Sequence, residues 1–225
     1  MNQKSLTPTK KMVFMGLICA LAYLFTIVLH IKVSFLTFDL KNTILAIGSL
    51  IFGPVCGIVN SLIVSIIEMI TISETGIWGC LMNFLSSACF AFTVGIIYKY
   101  RRTLSGAIIA LLVATIATTA IMIPLNLLIT PIYTGMPVQA IQGIIVPLIL
   151  PFNAIKSVLC SSVTLLIYKP VRKAFKGAGL EISDSSAYSF DKKTIIITIF
   201  SVVISLICVF IFVYFYNGTF SLYDL

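Results

Sequence analysis

An amide and an ammonium group, Asn153 and Lys156, lie three residues apart inside a long apolar stretch, Pro147–Tyr168. A lysine inside a bilayer costs between roughly 2.5 and 17 kcal/mol, so it is expected to have a function or a partner. Residues at i and i+3 share a helix face, which directs both groups into the protein. Three explanations are open: the two residues bind a polar ligand, Lys156 pairs with Glu68, or Lys156 snorkels towards water. The first two are compatible with each other.

The composition is that of an integral membrane protein. Of the 225 residues, 60% are hydrophobic and 10% are charged, whereas a soluble domain is about half apolar and a quarter charged. Most of the chain must therefore lie in the bilayer, with no room for a separate soluble domain. The six cysteines show no CxxC spacing. We interpret them as small hydrophobic residues and expect neither a disulfide nor a metal site.

The apolar runs predict seven membrane segments. As a single helix, residues 39–72 would run about 51 Å, far beyond the ~30 Å hydrocarbon core. Gly53-Pro54 lies in the middle of this run and is typical of a break, so we divide the run there. The predicted segments are Met12–Ile31, Asp39–Phe52, Pro54–Ile72, Ile77–Tyr98, Leu104–Leu128, Pro147–Tyr168 and Thr194–Tyr216.

Basic residues mark alternate loops and so predict the orientation. The lysines and arginines cluster before the first segment, at residues 99–102 and at residues 169–176. The positive-inside rule then places the N-terminus in the cytoplasm and the C-terminus outside. The net charge of +8 is thus a topology signal beside anionic lipid, and we expect no nucleic-acid partner.

Polar residues of several segments converge in the outer half of the predicted bundle. Lys156 lies roughly 13 Å along the helix axis from Pro147. Three amides and a carboxylate lie at similar depths: Asn83, Asn126, Asn153 and Glu68. We therefore expect a polar site that opens to the outside. No arginine lies in any segment, and a phosphate or dianion would normally need arginines, so the expected ligand is polar but not highly charged.

Aromatic residues near the same end are candidates for stacking on a ring of that ligand. Phe35 and Phe38 lie in the first outer loop, residues 34–39, Trp78 begins the fourth segment, and Tyr133 follows the fifth. Trp78 and Tyr133 are also typical of the aromatic belt at a membrane interface.

Three stretches carry a resemblance to a known family. They are FLTFDL (35–40) running into IGSLIFGPVCG (47–57), LNLLITPIYTG (125–135), and ILPFNAIK (149–156), which is followed by Tyr168-Lys169. In their order and content they resemble the S components, or substrate-binding subunits, of the energy-coupling factor (ECF) transporters of bacteria. The second and third stretches are most similar to the riboflavin-specific branch. The resemblance covers about Met12–Arg172.

The resemblance implies a fold and a ligand site. The fold class is an all-α integral membrane protein with a six-helix S-component core, to which this chain adds a seventh C-terminal transmembrane helix. In the family the vitamin binds from outside, in a pocket formed by the first outer loop and spans one, four, five and six. In the riboflavin branch the residues that match Asn126, Asn153 and Lys156 bond the flavin. Riboflavin would be the transported ligand, and no cofactor is expected.

The resemblance also implies partners. S components work in the cell membrane with a transmembrane coupling subunit and two ATPases, and a small-x-x-x-small face on span one docks the coupling subunit. The best match here is Gly16 and Ala20. The sequence contains no GxxxxGK[ST] nucleotide-binding motif, so the energy must come from such partners. The chain is not expected to be an enzyme.

The predicted domains are a binding domain (1–176), a polar cytoplasmic linker (177–193) and the extra helix (194–216), whose role the sequence leaves open. One alternative is an S component for another vitamin, such as folate, thiamine or pantothenate. An unrelated small transporter would usually show more spans and internal repeats. A membrane prenyltransferase would need aspartate-rich magnesium motifs, which the sequence lacks. An intramembrane serine protease would need a histidine base, and the only histidine, His30, is most simply an interfacial residue.

Overall fold

A computed structural model describes residues 8–33, 35–73, 75–177, 192–216 and 219–220. Within these residues the helices are α1 (Pro8–Val28), α2 (Lys41–Phe52), α3 (Pro54–Thr71), α4 (Gly76–Tyr100), α5 (Leu104–Thr134), α6 (Val138–Ile144), α7 (Leu150–Gly177) and α8 (Lys192–Phe215). A π-helical turn, Ile145–Ile149, joins α6 to α7. The predicted helical membrane architecture is confirmed, and the seventh predicted segment forms α8. Ser34, Glu74 and most of the predicted linker lie outside the described residues.

Six helical segments in the described part of the chain are long and apolar enough to cross a membrane: Thr9–Val28, Pro54–Thr71, Gly76–Tyr100, Leu104–Thr134, Val138–Tyr168 and Ile196–Phe215. The short helix α2 has 12 residues, or about 18 Å, and does not span the bilayer alone. Helix α5 continues past the predicted end at Leu128. It ends before Gly135, whose φ of 70° is the left-handed conformation in which helices commonly terminate.

The break between α2 and α3 lies at Gly53-Pro54, as predicted. Gly53 has φ +95°, a conformation that residues with a side chain rarely adopt. Pro54 follows as the first residue of α3, where its missing N–H removes no helical hydrogen bond. Helix α4 passes close to this break, because a Cβ on Gly95 would lie 2.7 Å from Pro54 Cα. The chain thus turns sharply and still packs tightly against its neighbour.

Two prolines explain the π-helical turn before α7. Pro147 lies in the turn and Pro151 in the first turn of α7. Because proline has no backbone N–H, neither residue can donate the usual hydrogen bond to the carbonyl four residues earlier. The helix locally widens at this point, and Leu150 N–H bonds the Ile145 carbonyl instead. Such widened turns often occur at functional sites.

The first outer loop forms a small β-sheet, which the all-α prediction missed. Strands β1 (Ile31–Val33) and β2 (Leu36–Phe38) pair antiparallel. A third strand, β3 (Thr219–Phe220), follows α8 and pairs with the other edge of β1. Strands of two or three residues carry too little alternation to be detected against strongly apolar surroundings. We refer to β1–β2 as the hairpin and to this end of the bundle as the hairpin end.

The helices pack around a core that lies between α2, α4, α5 and α7. Phe90 and Val94 of α4 are fully buried there. The core ends in two tyrosines, Tyr98 and Tyr168, whose hydroxyls are 3.1 Å apart. Helix α8 lies against α7, where the Ser162 and Ser201 hydroxyls are 2.7 Å apart. The bundle therefore holds the hairpin end and the N-terminal half of α7 in fixed relative positions.

Candidate functional site

A cavity of about 160 Å³ lies at the hairpin end, between the hairpin and the ends of α1, α3, α4, α5 and α7. Its lining combines ionised, amide and aromatic side chains. The lining includes Thr26, His30, Lys32, Phe35, Thr37, Asp39, Lys41, Glu68, Asn83, Tyr133, Phe152, Asn153 and Lys156. The cavity thus lies at the end of the bundle where the sequence predicted a polar site.

The floor of this cavity holds a buried ion pair between α2 and α3. Lys41 Nζ lies 2.6 Å from Glu68 Oε2, and both side chains are only 3% exposed. The Thr26 hydroxyl donates to Glu68 Oε1 at 2.9 Å, and the Asn83 amide donates to Oε2 at 3.3 Å. Glu68 therefore receives hydrogen bonds from three different elements, which is the arrangement that a buried carboxylate requires.

Lys156 is paired with Asp39, not with Glu68. Its Nζ lies 2.8 Å from Asp39 Oδ2 and donates to the Thr37 carbonyl at 2.9 Å. The predicted alternative of a Lys156–Glu68 pair is therefore wrong, because Lys41 already occupies the Glu68 carboxylate. Snorkelling is also wrong as the explanation, since the Lys156 side chain is 12% exposed and points to the hairpin.

Asp39 connects the two lysines of the site. It follows β2, accepts a hydrogen bond from the Lys41 backbone N–H at 3.2 Å, and lies 3.8 Å from Lys41 Nζ. Burial favours the neutral acid, but the ammonium groups of Lys156 and Lys41 outweigh it and hold the pKa of Asp39 below its usual value. Asp39, Glu68, Lys41 and Lys156 form a buried group of two anions and two cations, which we call the charge quartet.

Five of the predicted ligand residues line the cavity together. Asn153 and Lys156 come from α7, Asn83 from α4, Tyr133 from α5 and Phe35 from the hairpin region. The ring centroids of Phe35 and Tyr133 are 6.5 Å apart, edge to face. One N–H of Asn153 donates to the Ile149 carbonyl at 2.8 Å, and an asparagine amide has a second N–H. The site therefore offers aromatic faces and amide donors at one opening.

The other three predicted ligand residues, Phe38, Trp78 and Asn126, do not line this cavity. Phe38 is buried in an aromatic cluster behind it, and Trp78, in the first turn of α4, is 38% exposed. Asn126 is fully buried and bonded within α5: it donates to the Met122 carbonyl at 2.7 Å and accepts from the Thr130 hydroxyl at 2.9 Å. Because Asn126 is fully buried and does not line the cavity, a ligand could contact it only after the surrounding side chains move.

Sequence reasoning missed His30, Asp39 and Lys41 as site residues. His30, expected at the membrane interface, is only 8% exposed and lines the cavity. Burial lowers the pKa of its imidazole, although Asp39 partly opposes this, so the ring is neutral at neutral pH. The sequence did contain a signal that could have identified Asp39 and Lys41. With Glu68 and Lys156 they are four ionisable residues of zero net charge in or beside apolar segments, which predicts that they pair.

The polar groups of the site are hydrogen-bond donors and acceptors that lie beside aromatic rings. No group of three or more metal-ligating side chains occurs among the described residues. Small-molecule sites usually measure about 300–1,000 Å³, so this cavity of about 160 Å³ is smaller than a typical ligand site. Lys156 Nζ has three N–H groups, of which two are used on the Thr37 carbonyl and on Asp39 Oδ2.

A separate surface feature lies on α1. Gly16 and Ala20 are exposed, and no other element among the described residues comes within 4 Å of a Cβ placed on Gly16. Met12, Val13 and Leu17 beside them are also exposed. The predicted small-residue face is therefore accessible to a partner.

The comparisons with known proteins agree on one kind of protein. A sequence model described as "ECF transporter, substrate-specific component" matches residues 10–168. The riboflavin transporter RibU of Staphylococcus aureus (strain TCH60) is 28% identical over 177 residues, 74% of this chain and 93% of that protein. The riboflavin transporter FmnP of Bacillus subtilis (strain 168) is 31% identical over 143 residues, 60% of this chain and 75% of that protein.

A solved structure, described as the S component of a bacterial ECF transporter, superimposes with a TM-score of 0.64 at 29% identity. The superposition covers 76% of this chain and 99% of the chain in the solved structure. Helix α8 begins beyond the residues matched by the family model.

Proposed function

This chain belongs to the family of substrate-specific components of ECF transporters, and on that basis we propose that it captures riboflavin in the cavity beneath the hairpin. The S-component fold inferred from the sequence motifs is confirmed by the structural similarity. The chain is accordingly a multi-pass membrane protein that serves transport. Two relatives named as riboflavin transporters support this vitamin as the ligand.

The observation that carries the proposal is that two polar residues and two aromatic residues line the same cavity. The polar residues are Asn153 and Lys156, and the aromatic residues are Phe35 and Tyr133. The isoalloxazine of riboflavin is a flat, uncharged ring system with carbonyl and ring-nitrogen acceptors along one edge. Aromatic faces suit its plane, and amide and ammonium donors suit that edge. The charge quartet is already balanced internally, so a neutral ligand body leaves no buried charge without a partner.

The distribution of basic residues supports capture from outside. Lys11, Lys99 and Arg102 surround the Gly53-Pro54 turn, at the end of the bundle opposite the hairpin. By the positive-inside rule this end faces the cytoplasm, and the hairpin end faces outside. The proposed domains are 1–176 for binding and 194–216 for the extra helix, with 177–193 between them.

The proposal is tested by identifying the small molecule that co-purifies with the protein. We expect protein purified in detergent from riboflavin-replete cells to be yellow and, after denaturation, to release near-stoichiometric flavin, measured by absorbance and fluorescence. A mock purification from cells without the chain is the control. A colourless protein that also fails to quench the fluorescence of added riboflavin would contradict the proposal, and folate, thiamine and pantothenate would then be titrated.

Assembly with a coupling subunit and two ATPases belongs to the same proposal, with Gly16 and Ala20 as the docking face. We expect Gly16→Leu to bind riboflavin normally but to lose co-purification with the coupling subunit, because the leucine holds the partner helix away from α1. No neighbouring element in the described part of the chain lies within 4 Å of a Cβ placed on Gly16, so we expect the variant to fold.

The matched control is Gly143→Leu on α6, another exposed helical glycine whose Cβ position has no neighbouring element of the described structure within 4 Å. Both variants are co-expressed with the coupling module and compared by affinity pull-down. If Gly16→Leu assembles as well as Gly143→Leu does, α1 is not the docking face.

A further inference from the structure

Helix α8 lies beyond the part of the chain matched by the family model, yet one of its faces contacts the hairpin that covers the cavity. That face consists of Val209, Phe212 and Val213, which are at most 9% exposed. They share a buried cluster with hairpin residues such as Val33 and Phe38. The C-terminal helix is therefore part of the structure that surrounds the site, although it supplies no residue to the cavity lining.

Phe212 is the centre of this contact. Its ring centroid lies 5.9 Å from Phe38, edge to face, and 6.2 Å from Phe152. Phe38 and Phe152 are themselves 4.3 Å apart. Phe38 immediately precedes Asp39, and Phe152 lines the cavity immediately before Asn153. Phe212 thus packs against the two rings that flank the polar groups of the site.

Two further contacts connect the end of α8 to the same region. The Tyr216 hydroxyl donates to the Pro147 carbonyl at 2.6 Å. Pro151 has no N–H and cannot donate the α-helical bond to that carbonyl, so the tyrosine supplies a donor there. The chain then continues into β3, which pairs with β1 through Ile31–Phe220 and Lys32–Thr219. Strand β1 is consequently paired on both of its edges, with β2 on one side and with β3 on the other.

The remaining surface of α8 shows that this contact is specific to one face. Phe210, Tyr214 and Phe215 are 70%, 75% and 75% exposed. They have the same chemical character as Phe212, and Phe210 is only two positions away. A membrane anchor alone would need only such lipid-facing residues, whereas the buried face follows the shape of the hairpin cluster.

We propose that α8 is a positioning element for the binding site, in which Phe212 and Tyr216 hold the hairpin against the end of the bundle and slow the release of the ligand. In this arrangement the hairpin is fastened from two sides: Lys156 bonds Thr37 and Asp39 on the cavity side, and Phe212 packs behind Phe38. Loosening the second contact leaves the lining residues intact but lets the hairpin open more often. The part of the proposal that concerns ligand release rests on the proposed function.

The test compares Phe212→Ala with Phe210→Ala in the full-length protein. We expect Phe212→Ala to release riboflavin roughly tenfold faster, as judged by the loss of a buried aromatic contact, with little change in the association rate. Hydrogen–deuterium exchange of peptides from residues 31–38 should also be faster. Phe212→Leu should restore part of both properties, and Phe210→Ala should match the wild type.

Tyr216→Phe removes only the hydroxyl and leaves no packing void in the protein. It tests the role of α8 independently, so it remains informative if Phe212→Ala folds poorly. It should raise both the release rate and the exchange of the hairpin. Equal release rates and equal exchange in Phe210→Ala, Phe212→Ala and Tyr216→Phe would overturn the proposal, and Phe212→Leu replaces Phe212→Ala in this comparison if the alanine variant folds poorly. If the wild-type protein binds no riboflavin, the proposed function fails, whereas the exchange measurement still decides whether α8 positions the hairpin.

Discussion

Lys156→Met is expected to bind riboflavin at least tenfold more weakly than the wild-type protein, a loss of about 1.4 kcal/mol. Lys156 is the ammonium of α7 that lines the cavity beside Asn153. A methionine has a similar shape but cannot donate a hydrogen bond. The affinity is measured by titrating the quenching of riboflavin fluorescence. Lys99→Met, an exposed lysine near the opposite end of the bundle, is the control and should bind normally.

A second variant separates ligand contact from charge balance. Lys156→Met removes one cation of the charge quartet and leaves Asp39 with Lys41 at 3.8 Å. Adding Asp39→Asn restores neutrality and should recover much of the stability lost in the single variant. If Lys156 donates to the ligand, the double variant still binds weakly. Full recovery of affinity in the double variant would assign Lys156 a purely structural role.

Lys41→Met is expected to lower the free energy of unfolding by about 3–5 kcal/mol, since it leaves the buried Glu68 without its cation. The two groups are 2.6 Å apart and almost inaccessible to water. The Thr26 hydroxyl and the Asn83 amide remain as donors, but neither carries a charge. Thermal unfolding in detergent, followed by tryptophan fluorescence or circular dichroism, measures the loss.

The double variant Lys41→Met/Glu68→Met should be more stable than Lys41→Met alone, because removing both charges removes the desolvation cost of the one left behind. Lys99→Met again serves as the exposed control. A Lys41→Met protein that unfolds at the same temperature as this control would show that the pair contributes nothing to the fold.

The helical framework was predictable because hydropathy and backbone chemistry act locally. Residues 54–71 and 104–128 are apolar over the length of a bilayer, and a Gly-Pro pair such as Gly53-Pro54 strongly favours a break in a helix. The depth of a polar residue in its segment follows from the same counting. This is why Asn83, Asn153 and Lys156 were correctly placed at one end of the bundle.

The partners of those residues could not be predicted in the same way. Depth places Lys156 near both Glu68 and Asp39, but the rotation of each helix and the path of the hairpin decide which carboxylate it meets. Asn126 has a similar depth to Asn83, yet the rotation of α5 leaves it fully buried and outside the cavity lining. The contact of Phe212 with Phe38 joins residues that are far apart in sequence, for which local patterns carry no information.

The shortness of α2 has a consequence for how the protein is made. A 12-residue helix that begins with a lysine is a poor substrate for insertion into lipid on its own. Glu68 lies at the far end of the next helix, and the turn at Gly53-Pro54 brings it beside Lys41. Each residue neutralises the charge that would keep the other in water. We therefore expect α2 and α3 to leave the insertion machinery together as one helical pair, after both have been synthesised.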